Sequence, residues 1–359
     1  MIRRTQTIYV TADPFFSRRG NVVHNFGELL ERLAELEFPC VWLTSMTRFQ
    51  IDEPRRRLGH GEPFIAESGS GVYLPEDYFH LKWGNTIRLG RYTVIPVAKP
   101  QPAAKDALDE LVSDLDISIV TLRSLSHREL SQNTGLPANE AEQIRQRDFD
   151  ELFFFAGATD IEIAGFAAEA KNRGLSLQSV GQFWSLSVGA DLGKCIRELG
   201  GLYDRSLKYH AMRIGLVVPP TTGLANPPKS DPRLKPIYSA CDRTLLLTER
   251  PLDAPAASPA GTVSSNGDEP AEEMESGEEI ELTESPESGE PGKEIGEEAD
   301  AGGQSAGSVE TVSVEMVEYP RLIPDLAGRG SYIKDAFHLH APDLWETVLA
   351  SIVEHKPRK

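Results

Sequence analysis

Thr11 and Asp13 are the residues from which any chemistry of this chain would start. They end an apolar run of Ile8, Tyr9 and Val10 and precede Pro14. A short buried strand that stops at an acid is how a parallel α/β sheet presents a carboxylate at its carboxyl edge, where ligands bind. A second constellation follows the next apolar run. Thr44, Ser45, Thr47 and Arg48 stand between Cys40, Val41, Trp42, Leu43 and a polar helical segment that runs to Leu58 and stops at Gly59. Hydroxyls at a strand end, just ahead of a helix start, make an anion site, because the first helical N–H groups lack partners. Ser45 or Thr47 could instead serve only to cap that helix.

The elements that must position these residues follow from periodicity. Phe26, Leu29, Leu30, Leu33 and Leu36 recur at helical spacing, and Phe38 and Pro39 end the helix ahead of the second apolar strand. Strand, helix and strand in about forty residues predict a right-handed βαβ unit. Phe64, Ile65 and Ala66 form a third strand; Glu67, Ser68, Gly69, Ser70 and Gly71 then lead through a tight turn into a hairpin with Val72, Tyr73 and Leu74. From about residue 83 to Gly189 the pattern is mixed α+β. Strands are expected at 92–97 and 150–155, helices at 103–114, 139–147 and 165–173, and a strand pair at 175–187 turning at Gly181. This stretch is predicted to be an inserted domain. The βαβ character resumes with a helix over 193–203 and a strand over 212–218, and a further helix and strand end at Leu247.

Beyond Leu247 the composition collapses into Pro, Ala, Ser, Gly and Glu up to Tyr319. Such a segment buries too little apolar area to offset its conformational entropy and is expected to be disordered. Ala341, Pro342 and Asp343 then open a helix whose Leu344, Trp345, Val348, Leu349, Ile352 and Val353 make an apolar stripe that must pack on the core. The low-complexity run is therefore an internal loop. The predicted organisation is a core in two parts (1–82 and 190–250), an inserted cap (83–189), an acidic insertion (251–319) and a C-terminal piece of the core (320–359).

Residues 251–320 hold 19 acids and a single basic residue, Lys293, and so account for the whole formal net charge of −18. The remaining chain carries 36 acids balanced by 36 Lys and Arg. A neutral body lacks the electrostatic footprint of a nucleic-acid or anionic-membrane binder, and neither partner is expected. The acidic run reads as a solvated spacer or as the docking segment of a protein partner. Cys40, Cys195 and Cys241 lie far apart without a C-x-x-C pair, which predicts neither a disulfide framework nor a zinc site. No apolar run approaches membrane-spanning length and the first residues lack a signal-peptide pattern, so the expected compartment is the cytoplasm.

The order of segments resembles the haloacid dehalogenase (HAD) superfamily and, within it, the mannosyl-3-phosphoglycerate phosphatases. Leu43, Thr44, Ser45, Met46, Thr47, Arg48 resemble that family's T-S-K-T-R segment, and Pro63 to Gly69 resemble its P-F-I-x-E-N-G. Thr134, Gly135, Leu136, then Glu140 and Ala141, then Arg147 to Glu151 resemble T-G-L, E-A and R-x-Y-x-E. Gly181, Gln182, Phe183 resemble G-x-R-F; Asp191 to Lys194 resemble D-K-G-K; Ile214, Gly215, Leu216 resemble the strand before G-D-x-x-N-D; and Ala341 to Trp345 resemble G-P-x-G-W. The resemblance implies an α/β fold, a HAD-like Rossmannoid parallel-sheet core with an inserted α+β cap domain.

It also implies a chemistry. One aspartate attacks a phosphate ester, a second two residues on protonates the leaving group, and Mg²⁺ is held by these groups and by acids of the fourth motif. D-x-D-G-T falls either on Thr11 to Phe15, with Thr11 at the nucleophile's place and Asp13 at the acid's, or on Asp13 to Ser17, keeping a nucleophile and losing the acid. G-D-x-x-N-D falls on Val217 to Thr222, without an acid, and Asp231 lies downstream. The motif lysine is Leu192, with Lys194 two residues on as a substitute. The resemblance thus assigns catalysis to Asp13, Thr11 and Lys194 and metal binding to Asp13. Substrate contacts fall to Thr44, Ser45, Arg48, Glu67, Ser68, Gly69, Arg147 and Glu151. The expected function is that of a catalytically impaired or regulatory relative that binds a phosphorylated sugar acid or another small phosphate ester. The alternative is an active Mg²⁺-dependent phosphatase of mannosyl-3-phosphoglycerate or a related compound.

Overall fold

A computed structural model of the chain describes residues 6–17, 21–80, 84–218, 234–248 and 336–354. At its centre is β1 (Gln6–Thr11), buried from Gln6 to Val10 as a strand covered on both faces must be. It pairs in parallel with β2 (Cys40–Leu43) on one side and β11 (Met212–Val217) on the other. Parallel pairing continues outward through β12 (Arg243–Thr248) to β13 (Ala336–His338), and from β2 to β3 (Phe64–Ala66). An antiparallel extension, β4 (Gly71–Pro75), β5 (Ile87–Leu89) and β6 (Tyr92–Pro96), completes a nine-stranded sheet of order β13-β12-β11-β1-β2-β3-β4-β6-β5.

Alternation along the strands sends apolar side chains to both faces. Ile8, Val10, Trp42, Phe64, Ile214 and Leu216 pack with α1 (Phe26–Glu35), with Ile51 of α2 (Arg48–Arg57) and with α9 (Leu344–Glu354). Tyr9, Val41, Leu43, Ile65 and Val217 pack with α7 (Leu192–Leu207) and α8 (Lys235–Ala240). The stripe expected on α9 is used for this purpose: Leu344, Trp345, Val348 and Ile352 are buried, while Val353 is half exposed. The Trp345 indole N–H donates to the His24 carbonyl at 3.0 Å, and the Gln6 amide donates to the Ile352 carbonyl at 2.9 Å.

A second sheet is built from β7 (Ile119–Thr121), β8 (Asp150–Phe155), β9 (Leu175–Val180) and β10 (Phe183–Val188) in the antiparallel order β7-β8-β10-β9. One face carries Phe153 and Leu186 against α3 (Gln101–Leu115) and α6 (Asp160–Asn172). The other face is divided. Leu152 and Phe183 pack with α4 (His127–Thr134) and α5 (Ala138–Arg145), whereas Asp150, Ser185, Ser187, Ser176 and Gln178 make its remaining half polar.

The expected cap boundary at residue 83 falls too early. β5 and β6, which include the strand read at 92–97, belong to the large sheet, because β6 pairs antiparallel with β4 over Gly71–Pro75. The second sheet's own elements run from α3 to β10. α4 was not expected; its single buried apolar residue, Leu130, gives no periodicity, although Ser126 and Glu129 form a capping box. α6 starts at Asp160, earlier than read, because Thr159 and Glu162 cap it in the same way. The acidic insertion and the residues after Val218 that would hold the fourth motif, Pro219 to Thr222 and Asp231, lie outside the described residues. Among the described residues no helix is long and apolar enough to cross a membrane, and the three cysteines are buried and free.

Candidate functional site

The carboxyl ends of β1, β2 and β3 meet at one rim. β1 passes into a single 3-10 turn, Asp13–Phe15, opened by Pro14, and the Ala12 N–H donates to the Leu43 carbonyl at 2.9 Å, tying this turn to the end of β2. Asp13 is thereby aimed at the segment after β2. Its Oδ1 accepts from the Thr44 hydroxyl, and its Oδ2 accepts from the Ser45 N–H at 2.9 Å and the Ser45 hydroxyl at 2.5 Å. Thr44 and Ser45 are therefore anion donors in this structure, with a carboxylate as their anion. Thr47 takes the other role left open by the sequence: it caps α2 in a capping box with Gln50.

Thr11, which takes the nucleophile's place in one of the two registers, has a hydroxyl oxygen that accepts from the Val218 N–H at 2.9 Å. The hydroxyl is thus engaged in holding the ends of β1 and β11 together.

The turn after β3 closes the rim. Glu67, Ser68 and Gly69 all have positive φ, and a Cβ on Gly69 would come within 2.5 Å of the Leu192 backbone, so only glycine lets the turn sit against the start of α7. The Ser68 N–H donates to the Thr44 carbonyl at 3.0 Å, and the Asp191 N–H to the Gly69 carbonyl at 3.1 Å. Glu67 reaches across to the second sheet. Its carboxylate accepts from three successive backbone N–H groups, Asp148 at 2.9 Å, Phe149 at 2.8 Å and Asp150 at 3.2 Å.

Around Glu67 lies a buried ionic network. Arg147 forms a two-point pair with Asp150 and donates to the Ser45 carbonyl at 2.8 Å, and the Ser185 hydroxyl also donates to Asp150. Arg48 pairs with Asp148 at 2.9 Å, which further accepts from the Tyr73 hydroxyl at 2.8 Å. Burial raises the Glu67 carboxyl above its ordinary range and Asp150 adds to this, while Arg147 and the backbone N–H donors pull the other way. Burial alone would lower Arg147, but Asp150 and Glu67 beside it hold the guanidinium above its usual value. Gln178, on the polar half of the cap sheet, donates to the Ser68 carbonyl at 3.4 Å.

The structure thus brings Asp13, Thr44 and Ser45 together and sets Glu67, Ser68, Gly69 and Arg147 beside them. Arg48 is consumed by Asp148. Glu151 points to the other face of the cap sheet, where it accepts from Gln101 and lies 3.8 Å from Arg123. Lys194 is exposed on the first turn of α7, where its N–H donates to the Asp191 side chain, and it lines a groove with Ile95, Pro96, Val97 and Glu198 rather than with Asp13. Asp148, Asp150, Tyr73, Gln178 and Ser185 were not read as site residues. Asp148 and Asp150 sit inside the quoted Arg147–Glu151 segment, which could have pointed to them; the others carry no local signal.

Among the described residues no group of three or more His, Cys, Asp or Glu is placed to hold a metal. Mg²⁺ needs several hard oxygen ligands at near-octahedral geometry, and Asp13 offers one carboxylate whose oxygens already accept three hydrogen bonds. Among the described residues, this donor set does not fit the ion.

No family model matches the chain. The glucosyl-3-phosphoglycerate/mannosyl-3-phosphoglycerate phosphatase of Methanococcoides burtonii is 27% identical over 179 residues, 48% of this chain. The match spans 64% of that protein's length. The mannosyl-3-phosphoglycerate phosphatase of Pyrococcus furiosus is 24% identical over 187 residues, covering 52% of this chain and 74% of that one. Among solved structures, a haloacid dehalogenase-like hydrolase from B. subtilis aligns with a TM-score of 0.45 at 15% identity, over 67% of this chain and 89% of its own. By sequence this chain is similar to phosphatases of glycosyl-3-phosphoglycerates over about half of its length, and its largely parallel sheet with a separate antiparallel sheet makes an α/β fold.

Proposed function

We propose that the chain is a catalytically impaired HAD-like phosphatase relative, whose cleft takes a phosphorylated sugar acid weakly and acts in regulation rather than turnover. The observation that carries this reading is the state of the two reaction positions. In the register that starts at Thr11, a hydroxyl engaged by the Val218 N–H stands where a carboxylate nucleophile is needed, and the carboxylate two residues on, Asp13, is held by Thr44 and Ser45. A hydroxyl without an adjacent base is a poor nucleophile, and losing general acid catalysis alone removes roughly 10²- to 10⁴-fold of rate.

A second reading, an active phosphatase with Asp13 as nucleophile, is favoured by the names of the relatives, all of them phosphatases of glycosyl-3-phosphoglycerates. A phosphate-release assay with mannosyl-3-phosphoglycerate and Mg²⁺, run beside a thermal-shift titration with the same compound, separates the two. The expected outcome is a rise in melting temperature without release, since a ligand bound only by the folded state stabilises by mass action. Release with saturation kinetics would establish the second reading instead.

A further inference from the structure

Three donors converge at the end of β2: the Thr44 hydroxyl, the Ser45 N–H and the Ser45 hydroxyl. All three end on the two oxygens of one side chain, Asp13. A backbone N–H and two hydroxyls just ahead of a helix make a cradle for an oxyanion. We propose that Asp13 is a built-in anion that fills this cradle, so that an external tetrahedral oxyanion binds only by displacing it. This deepens the proposed function and rests on its view of the rim as an oxyanion site. It does not depend on whether the chain hydrolyses anything.

Two features make the carboxylate a strong competitor. Asp13 is delivered by a turn that Pro14 opens and that the Ala12 N–H ties to the Leu43 carbonyl, so little freedom is lost when its side chain docks. An intramolecular ligand on a short connection acts at an effective concentration on the order of millimolar or more. Its charge also opposes any anion that approaches the same donors. Among the described residues the two nearest cations are committed elsewhere: Arg147 to Asp150 and the Ser45 carbonyl, and Arg48 to Asp148. Asp13 is only partly buried, so solvent and ligand reach it.

The test uses inorganic phosphate as the probe, titrated by calorimetry into the full chain at constant ionic strength. Asp13→Ala is expected to bind phosphate at least tenfold more tightly than wild type, and Asp13→Ala with Thr44→Val to lose most of that gain. Asp13→Asn, which keeps the shape and removes the charge, is expected to gain about threefold and serves if the alanine variant does not fold. Phosphate affinity unchanged in Asp13→Ala, or in Asp13→Asn where only that variant folds, overturns the proposal. So does a gain that survives Thr44→Val. Turnover by the wild type would overturn the impairment reading while leaving this comparison intact, so the two can fail separately.

Discussion

Asp13 and Glu67 are both acids at the carboxyl rim of the large sheet, and each accepts three hydrogen bonds. Their surroundings differ. Asp13 is partly exposed and takes two hydroxyls and one N–H from a single loop of its own sheet. Glu67 is 1% exposed and takes three N–H groups from the segment that enters the cap. Solvent or a ligand can replace Asp13's carboxylate at Thr44 and Ser45, whereas nothing can reach the donors that Glu67 satisfies. One carboxylate is an exchangeable occupant and the other is a structural tie between core and cap.

The largest expected effect follows from removing the tie. Glu67→Ala leaves three buried N–H groups unpaired, a change of the kind that costs about 3 kcal/mol or more. Asp13→Ala should cost about 1 kcal/mol or less, because water can serve its donors. Urea unfolding of both variants checks the contrast, and equal losses would erase it.

A smaller effect is the pH dependence of the tie. Glu67's carboxyl is raised by burial and by Asp150, so the folded state retains a proton that the unfolded chain has released. The stability it contributes is full below the ordinary carboxylate range and declines as pH rises through the raised value. Measured at several pH values, the wild type should lose its stability advantage over Glu67→Gln as pH increases. A flat or rising difference would mean that the three N–H donors and Arg147 outweigh burial. The smallest effect is expected at Lys194→Ala, which should change phosphate affinity less than twofold, since Lys194 lines a different groove. A larger loss would bring Lys194 back to the rim.

The core was legible in the sequence because its strands are short apolar runs that end in polar residues. Ile8 to Val10 and Cys40 to Leu43 bury both faces, so they could be read without knowing their partners. The boundary of the cap was not legible. Tyr92–Pro96 reads as a strand, but nothing local says which sheet it joins; that depends on its pairing with β4 about twenty residues earlier. At the site, Asp13, Thr44 and Ser45 could be named from strand ends alone. The commitments of Arg48 and Arg147 could not, because Asp148 lies a hundred positions from Arg48 and the Ser45 carbonyl a comparable distance from Arg147. A cationic side chain near a strand end looks free until the fold brings its partner.

The return of the chain to the sheet at β13 and α9 has a thermodynamic side. β13 pairs with β12 through three residues, and α9 buries Leu344, Trp345, Val348 and Ile352 on the sheet, so this terminal piece behaves as a tethered ligand of the rest. Its docking is held by those contacts and by its covalent connection to β12. Cutting the chain between β12 and β13 would turn the docking of α9 into a two-body association that depends on protein concentration.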